Sequence, residues 1–179
     1  MNESLEARVR VYLREHRTMT VATIGPDGPW SATVFFVNDG LDFWWLSKPG
    51  ARHSLNLAGD PRAAATIQED YRRPGVVKGI QMEGIVAGPT APAAATRIMR
   101  LYLDKFPPGG EGALPLLSAI KAFAASRVYQ FVPTRAYFID NSLGMGHRDE
   151  LSIPAQSATA AAHGASNPAV GAYSPGGEA

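Results

Sequence analysis

Short, mostly apolar runs separated by polar turns that contain glycine fill much of the first half of the chain, which predicts short β-strands. The exception is residues 3–16, where apolar side chains recur every three or four positions and predict an amphipathic opening helix. Three strands then follow in an antiparallel meander, because Gly-containing turns separate them. The predicted strands are residues 18–24, 30–37 and 41–46, with turns at 26–28 and 38–40.

The second half of the pattern predicts two helices and further strands. A short helix at 50–58 ends at Gly59, with Pro61 beyond it as a stop signal. The remaining predicted elements are strands at 62–68 and 76–86, a helix at 92–105, a short helical piece at 116–124, and a strand pair or one long strand at 128–139.

Two pairs of adjacent aromatic residues, Phe35-Phe36 and Trp44-Trp45, lie on predicted strands. Neighbouring side chains on a strand point to opposite faces, so both faces of the sheet must be covered there. One face fits the core of a closed barrel. The other face needs a helix of this chain, a flat aromatic ligand or a second subunit, because a bare aromatic patch would be exposed to water.

The length of 179 residues suits one domain, which we expect at residues 1–150, followed by a tail at 151–179. The chain is 45% hydrophobic and 18% charged, which is typical of a soluble globular protein. After Pro154 the sequence is rich in Ala, Ser, Gly and Pro, with Glu178 as the only formal charge. Such a segment buries too little apolar surface to order itself, so the tail is predicted to be disordered.

Charge and composition exclude several classes of function. A net charge of +1 without a basic run argues against nucleic-acid binding, and no apolar run is long enough to predict a membrane span. The chain has no cysteine, and its four histidines are widely separated, so no metal site is predicted. The first 17 residues mix Glu and Arg and lack the pattern of a targeting segment, so we expect a cytoplasmic protein.

The stretch from Trp44 to His53 carries the strongest chemical signal, since a strand runs through a hydroxyl and two cations into a predicted helix start. A helix N-terminus offers unpaired N–H groups to an anion. Ser47 adds a hydroxyl, Lys48 a point charge and Arg52 a planar fork, which together suit a phosphate group. The alternative is a solvated turn in which Ser47 merely caps the helix.

The order of these motifs resembles the pyridoxamine 5'-phosphate oxidase-like FMN-binding split barrels over roughly residues 5 to 140. The resemblance rests on the meander, then Leu46-Ser47, Gly50-Ala51-Arg52-His53, Asn56-Leu57, Asp60-Pro61-Arg62-Ala63 and Lys78-Gly79-Ile80-Gln81-Met82-Glu83-Gly84. The segment from Phe138 to Gly146 is further similar to a bacterial branch of this family.

The resemblance implies a mainly β fold, a six-stranded antiparallel split barrel with flanking helices, which forms a homodimer with FMN at the subunit interface. By position, Ser47, Lys48, Arg52 and His53 correspond to the phosphate site. The backbone of Thr33 and Val34 corresponds to the segment along the flavin ring, and Gln81 to a polar contact on the ring edge. No residue stands out as a catalytic proton donor. Asp140 and His147 either line the substrate side or belong to an exposed turn.

Departures from the family pattern limit what the resemblance implies about the reaction. The family oxidases carry Arg and Lys where this chain has Ser31 and Phe36, and no Arg-Leu-x-Pro segment follows Val128. We therefore predict that the chain does not oxidise pyridoxamine phosphate. The leading hypothesis is an FMN-dependent oxidoreductase that transfers hydride between flavin and a small-molecule substrate. The alternatives are an F420-binding or haem-binding protein, a cofactor-binding dimer without turnover, or a dimer whose cleft serves as an interaction surface.

Overall fold

The computed structural model describes residues 4–87, 92–109, 121 and 124–153. Its helices are α1 (Leu5–Glu15), α2 (Arg52–Gly59) and α3 (Pro92–Lys105). Its strands are β1 (Thr18–Gly25), β2 (Gly28–Asp39), β3 (Asp42–Ser47), β4 (Arg62–Gln68), β5 (Lys78–Ala87), β6 (Arg127–Asp140) and β7 (Arg148–Glu150). Short 3₁₀ turns lie at Pro74–Val76 and Asn141–Leu143.

Six of the strands close into an antiparallel barrel, as the sequence predicts. The strand order is β3-β2-β1-β4-β5-β6, and β3 pairs again with β6 to complete the ring, while β7 adds to the free edge of β6. The two hairpin turns of the meander contain Gly28 and Gly40, both with positive φ, a conformation that glycine adopts without a steric penalty. The barrel therefore follows from alternating strands joined by glycine turns.

Helix α1 closes one end of the barrel. The Ser4 side chain accepts a hydrogen bond from the N–H of Ala7 at 3.3 Å and begins the helix. Three side chains at helical spacing, Val9, Tyr12 and Leu13, then join the barrel core. The Tyr12 hydroxyl also donates to the backbone carbonyl of Lys78 at 3.1 Å, so α1 is tied to the start of β5.

A cluster of charged side chains around the buried Asp140 supports this same end of the barrel. The Asp140 side chain, 3% exposed, accepts from Arg8 at 2.9 Å and lies 3.4 Å from the Lys78 amine. The Ser142 hydroxyl and N–H both donate to Asp140. Burial by itself would raise the pKa of Asp140, but the Ser142 hydrogen bonds and the Lys78 charge outweigh it and lower the pKa. Asp140 is therefore a buried structural anion, and His147 pairs with Asp149 nearby at 3.1 Å.

The predicted elements agree with the structure except near the end of the described chain. The final element is one long strand, β6, and β7 follows it without having been predicted. Most of the helical piece predicted at 116–124 and the tail beyond residue 153 lie outside the described residues. The packed chain extends past residue 150, because Leu151 is buried and its N–H donates to the Ala136 carbonyl at 2.9 Å. No helix in the described ranges combines the length and apolar character needed to cross a membrane.

Helix α3 covers one of the two aromatic faces that the sequence singles out. Trp44 packs beneath it against Ile98, while Trp45 points into the barrel core. Of the three alternatives, a helix of the same chain therefore covers Trp44. Phe35 differs, because its side chain remains 63% exposed beside Phe106, with ring centroids 5.6 Å apart.

Candidate functional site

The barrel is split between β2 and β3. Strand β1 pairs with β2 over residues 28–35, whereas β3 pairs with β2 only over residues 36–39. The rest of β3 leaves β2 and pairs with β6. One edge of β2, from about Ser31 to Phe35, consequently has no partner strand in the described part of the chain.

The register shows which backbone groups line that open edge. The N–H of Phe36 donates to the Arg17 carbonyl at 3.1 Å, so Phe36 bonds toward the β1 side. Alternate residues of an antiparallel strand bond to opposite sides. Ala32 and Val34 therefore also bond toward β1, whereas the N–H and C=O groups of Ser31 and Thr33 point away from it, into the split.

We call this split the notch, and define it as the space between Ser31–Phe35 of β2 and Leu46–Ser47 of β3. Its narrow end lies where β2 and β3 still pair, at Phe36 opposite Trp45. Its wide end is bounded by α2, which directly follows β3 in the chain. The notch thus brings open backbone donors and acceptors to one side and the start of a helix to the other.

Helix α2 is held against the wide end through Arg52. The Arg52 guanidinium lies over the Trp30 ring, 4.5 Å from its centroid, and donates to the Asp27 carbonyl at 3.4 Å. Deeper in the helix, the buried Asn56 side chain donates to the Thr23 hydroxyl at 3.1 Å. These contacts fix the angle of α2 relative to the β1–β2 hairpin.

Ser47 and His53 meet directly at the helix start. The Ser47 Oγ and the His53 Nε2 lie 2.6 Å apart, and His53 is only 8% exposed. Burial lowers the pKa of His53, so its imidazole is neutral at pH 7. Of the four predicted phosphate ligands, Ser47 and His53 form a hydrogen-bonded pair, whereas Arg52 stacks on Trp30 and Lys48 is exposed.

Ser47 does not cap α2. Ala51 is the N-cap residue and has no side-chain cap hydrogen bond. Its N–H donates to the carbonyl of the exposed Lys48 at 3.0 Å, which forms a tight turn. The simple alternative, in which the Ser47 hydroxyl caps the helix, is therefore wrong. The first turn of α2 presents its N–H groups without a side chain competing for them.

The residues predicted to contact the flavin ring do not lie together in one pocket of a single chain. Val34 is buried in the barrel core and its backbone bonds toward β1, so of the two residues predicted along the ring only Thr33 presents its backbone to the open edge, together with Ser31. Thr33 is exposed on the outer face of the barrel, and Gln81 is exposed on the same face. Thr33 and Gln81 lie in one cross-strand row, through Thr20 and Thr66. Three strand spacings put Gln81 about 14 Å from Thr33, so the two side chains do not line one small pocket within a single chain.

A family model matches most of the chain. The model described as pyridoxamine 5'-phosphate oxidase matches residues 5–139, the whole barrel up to the end of β6. The chain belongs to the pyridoxamine 5'-phosphate oxidase family. The match covers the open edge of β2, the start of α2 and the outer face with Gln81, and so includes every predicted site residue.

Relatives and solved structures extend this comparison. The UPF0306 protein plu4501 of Photorhabdus laumondii is 27% identical over 142 residues, which covers 76% of this chain and 88% of that protein. A haem-binding protein from Mycobacterium smegmatis has the same fold, with a TM-score of 0.66 and 21% sequence identity. The match covers 88% of this chain and 62% of that protein. The haem storage protein HutZ from Vibrio cholerae is similar at a TM-score of 0.62 and 17% identity, over 81% of this chain and 100% of HutZ.

Two residues of the site were not found from the sequence. Ser31 appears there only as a departure from the family pattern, although its position two residues before Thr33 places it on the same backbone edge. Trp30 could have been proposed from its exposed aromatic character next to a turn, but its partner Arg52 is 22 residues away in sequence.

Proposed function

We propose that this chain is an FMN-binding oxidoreductase that works as a homodimer and transfers hydride between the flavin and a small-molecule substrate. One observation carries the proposal: the unpaired backbone edge at Ser31 and Thr33 faces, across the notch, a helix start equipped with Ser47, Arg52 and His53. The two sides suit the two ends of one ligand, a flat heterocycle with polar edges and a phosphate.

The phosphate end is supported by charge and by free donors. Arg52 supplies a cation already held over Trp30, so less side-chain entropy is lost on binding. The N–H groups of the first turn of α2 and the Ser47 hydroxyl add hydrogen-bond donors. The exposed Lys48 adds a second positive charge at the same turn. This set fits a phosphate without the cations that the family oxidases carry at Ser31 and Phe36.

The ring end is supported by the backbone of β2. The pyrimidine edge of a flavin presents alternating donors and acceptors, and a strand edge presents N–H and C=O groups in the same way. A bound flavin supplies the hydride chemistry, and neighbouring hydrogen bonds tune its reactivity. The role of Ser31 and Thr33 is to hold the ring edge in place, since their backbone groups need no side-chain rearrangement to bind it.

A second copy of this chain is the proposed partner on the outer face of the barrel. The central row of that face consists of small exposed residues, Ser31, Ala22 and Ala64, continued by Glu83 and Arg135 in the register. Such a flat surface allows close approach of another sheet, and a two-fold axis would bring the Glu83 of one copy toward the Arg135 of the other. It would also bring the distant Gln81 toward the partner's notch.

Haem binding is the second candidate, and F420 binding is a third. The haem-binding protein from M. smegmatis and HutZ share this fold, and the phosphate site has lost cations that FMN would use. An imidazole can bind haem iron through one nitrogen while its other nitrogen keeps a hydrogen bond. Ser47 contacts Nε2 of His53 and Asp149 contacts Nε2 of His147, so these contacts do not exclude haem. FMN remains the first candidate, because the start of α2 carries the cation and the donors that suit a phosphate.

Equilibrium titration of the full chain with FMN, riboflavin, F420 and haem tests the proposal. We expect FMN to bind at least about tenfold more tightly than riboflavin, because riboflavin lacks the phosphate. Reduced nicotinamide should bleach the bound flavin, and the complex should sediment as a dimer. Equal affinity for FMN and riboflavin would show that the chain does not bind the phosphate group. Tight haem binding without FMN binding would replace the proposal with the second candidate.

A further inference from the structure

Two groups of exposed apolar side chains lie at opposite edges of the outer face of the barrel. Phe35 is at the narrow end of the notch, and its side chain lies on the outer face because its neighbours on β2 point into the core. The Phe106 ring meets it edge-on and still leaves 63% of it exposed. At the other edge, Leu143 and Met145 are 57% and 75% exposed. One exposed apolar side chain is ordinary, but two groups beside a proposed binding face indicate an interaction surface.

Leu143 and Met145 belong to the turn after β6, residues 141–146, which we call the knob. Asn141 holds the knob in place, because its N–H donates to the Val77 carbonyl at 2.9 Å and its side-chain amide donates to the Pro74 carbonyl at 2.9 Å. The same amide nitrogen lies 3.5 Å from the Met145 sulfur. Both glycines of the turn have positive φ, which suits a tight turn. The knob therefore presents apolar side chains from a fixed backbone, so little entropy is lost when they bind.

The register shows that Phe35 and the knob of one chain are far apart. Phe35 begins a cross-strand row on the outer face that ends at Ile139, two residues before the knob. Between these ends, the row passes through Thr18, Gln68 and Gly79, where the β1–β4 register is continued by two residues. Four strand spacings amount to about 19 Å along the sheet. The knob of the same chain therefore does not cover Phe35.

The proposed dimer determines what lies opposite this row. It sets Gln81 of one copy toward the partner's notch, and Thr33 of that notch lies in the same row as Gln81. A two-fold axis parallel to the strands, midway between β2 and β5, gives this arrangement. Such an axis places every row against the same row of the other copy, with the order of the strands reversed. Strand β2 of one copy then lies against the partner's β5.

Phe35 fits the surface that this arrangement places opposite it. In its row, the partner's β5 contributes the partner's Gly79, which has no side chain to obstruct the ring. The knob begins close by, because Asn141 bonds to Val77, which is two residues or about 7 Å from Gly79 along β5. The knob also carries the exposed sulfur of Met145, and a thioether is a favourable neighbour for an aromatic ring.

We propose that the knob of one copy packs on Phe35 of the other, so that each subunit closes the narrow end of its partner's notch with Leu143 and Met145. The two-fold axis makes this contact twice. It places an apolar wall from the second copy beside the open edge of β2, and it covers the one aromatic side chain of the two adjacent pairs that no helix covers. The proposal rests on the dimer of the proposed function, but it does not depend on which cofactor binds.

Chemical crosslinking tests the contact directly, because the chain has no cysteine of its own. The double variant Phe35→Cys/Met145→Cys is treated as the full-length protein with a short bismaleimide. The matched control is Leu55→Cys/Met145→Cys, since Leu55 is 61% exposed but lies on α2, at the other end of the barrel. We expect a covalent dimer as the major product of the first variant, whereas the control stays monomeric on a denaturing gel. A control that crosslinks as well as the first variant, or a first variant that stays monomeric, overturns the proposal.

The substitution Met145→Glu provides a second measurement, because it places a charge against the Phe35 ring. We expect the dissociation constant of the dimer, measured by sedimentation, to rise by about tenfold or more. The control Leu55→Glu should leave this constant unchanged. A Met145→Glu variant that dimerises as tightly as the parent protein contradicts the contact.

The two proposals can fail separately. A chain that crosslinks through these positions but does not bind FMN keeps this contact and loses the proposed cofactor. A chain that binds FMN as a dimer, without crosslinking between positions 35 and 145, loses only this contact. A parent protein that sediments as a monomer overturns the contact, whereas titration with FMN still decides the cofactor.

Discussion

The two ends of the barrel are built on opposite principles. At the α1 end, the buried Asp140 carboxylate is paired with Arg8, Lys78 and Ser142, and Tyr12 bonds to the backbone. At the α2 end, the strands part, backbone groups of Thr33 lack a partner strand, and the helix start has no side-chain cap. At the α1 end the polar groups bond to one another. At the α2 end backbone groups remain open to a ligand.

Buried polar atoms reinforce this difference. The indole Nε1 of Trp45 and the hydroxyl of Ser54 are buried and have no hydrogen-bond partner within the described residues, and both lie toward the α2 end. Each such group costs stability compared with a satisfied one. Unpaired polar groups concentrate at functional sites, where stability is given up for binding. The contrast therefore supports the proposal that the ligand binds at the α2 end, while the α1 end stabilises the barrel.

The largest expected effect is on stability, from Asp140→Ala at the α1 end. It leaves Arg8 and Lys78 facing each other without the anion between them, and we expect a loss of about 3 kcal/mol in the free energy of unfolding. Chemical denaturation measures it, and FMN affinity in the folded fraction should not change. Because the pKa of Asp140 is lowered on folding, its contribution should disappear as the pH falls below about 4. An unchanged stability would mean that the two ends do not differ as described.

The second expected effect is on binding, from Arg52→Ala at the α2 end. Removing the guanidinium should weaken FMN binding by about tenfold or more, because a charge-assisted contact with the phosphate is lost. The matched control is Arg62→Ala, which removes an exposed cation just beyond α2 that pairs with Asp60. Both variants should unfold within about 0.5 kcal/mol of the parent protein. Equal FMN affinity in Arg52→Ala and the parent protein would show that Arg52 does not bind the phosphate.

A smaller effect concerns the pH dependence of binding at His53. Its pKa is lowered in the empty site, and a phosphate dianion beside it would raise that pKa, so binding should take up a proton. FMN affinity should therefore rise as the pH falls through the window between these two pKa values. The variant His53→Lys carries a permanent charge and the same titrating phosphate, so the ratio of the two affinities isolates the imidazole. A ratio that does not vary with pH would show that His53 does not face the phosphate.

The last prediction concerns how the free energy of unfolding changes with pH, and it depends on Lys105 at the α1 end. Its amine donates to the Leu13 carbonyl at 3.1 Å and lies over the Phe36 ring, and burial lowers its pKa to about 8. The unfolded chain holds this proton up to higher pH, so stability should increase as the pH rises from about 8 toward 10. The variant Lys105→Met should lose that increase in a series of denaturation curves. A parent protein that becomes less stable over this range would contradict the lowered pKa.

The fold could be predicted from the sequence because its signals are local. The bounds of β4 and α3 agree with the pattern residue for residue, since alternation and helical spacing are read within a few positions. Strand β7 was missed because Arg148-Asp149-Glu150 has no apolar alternation and exists only through its pairing with β6. Local pattern gives the elements, but not pairings that lack an apolar signal.

The site could be predicted only in part, for a similar reason. Ser47, Arg52 and His53 are close in sequence, and a strand that runs directly into a helix has to bring them together. The stacking of Arg52 on Trp30 depends on how distant elements meet, which residue types alone do not determine. The open edge of β2 likewise follows from the register, which becomes known only with the sheet.

The central claim is that the notch beside α2 holds the cofactor and that the α1 end does not. The most direct test is amide hydrogen exchange of the full-length protein with and without FMN, measured residue by residue. We predict that the amides of Ser31 and Thr33 and of the first turn of α2 slow by about tenfold or more, while that of Ser142, already bonded to Asp140, is unchanged. Slowed exchange around Asp140 with no change at Ser31 and Thr33 would contradict the account.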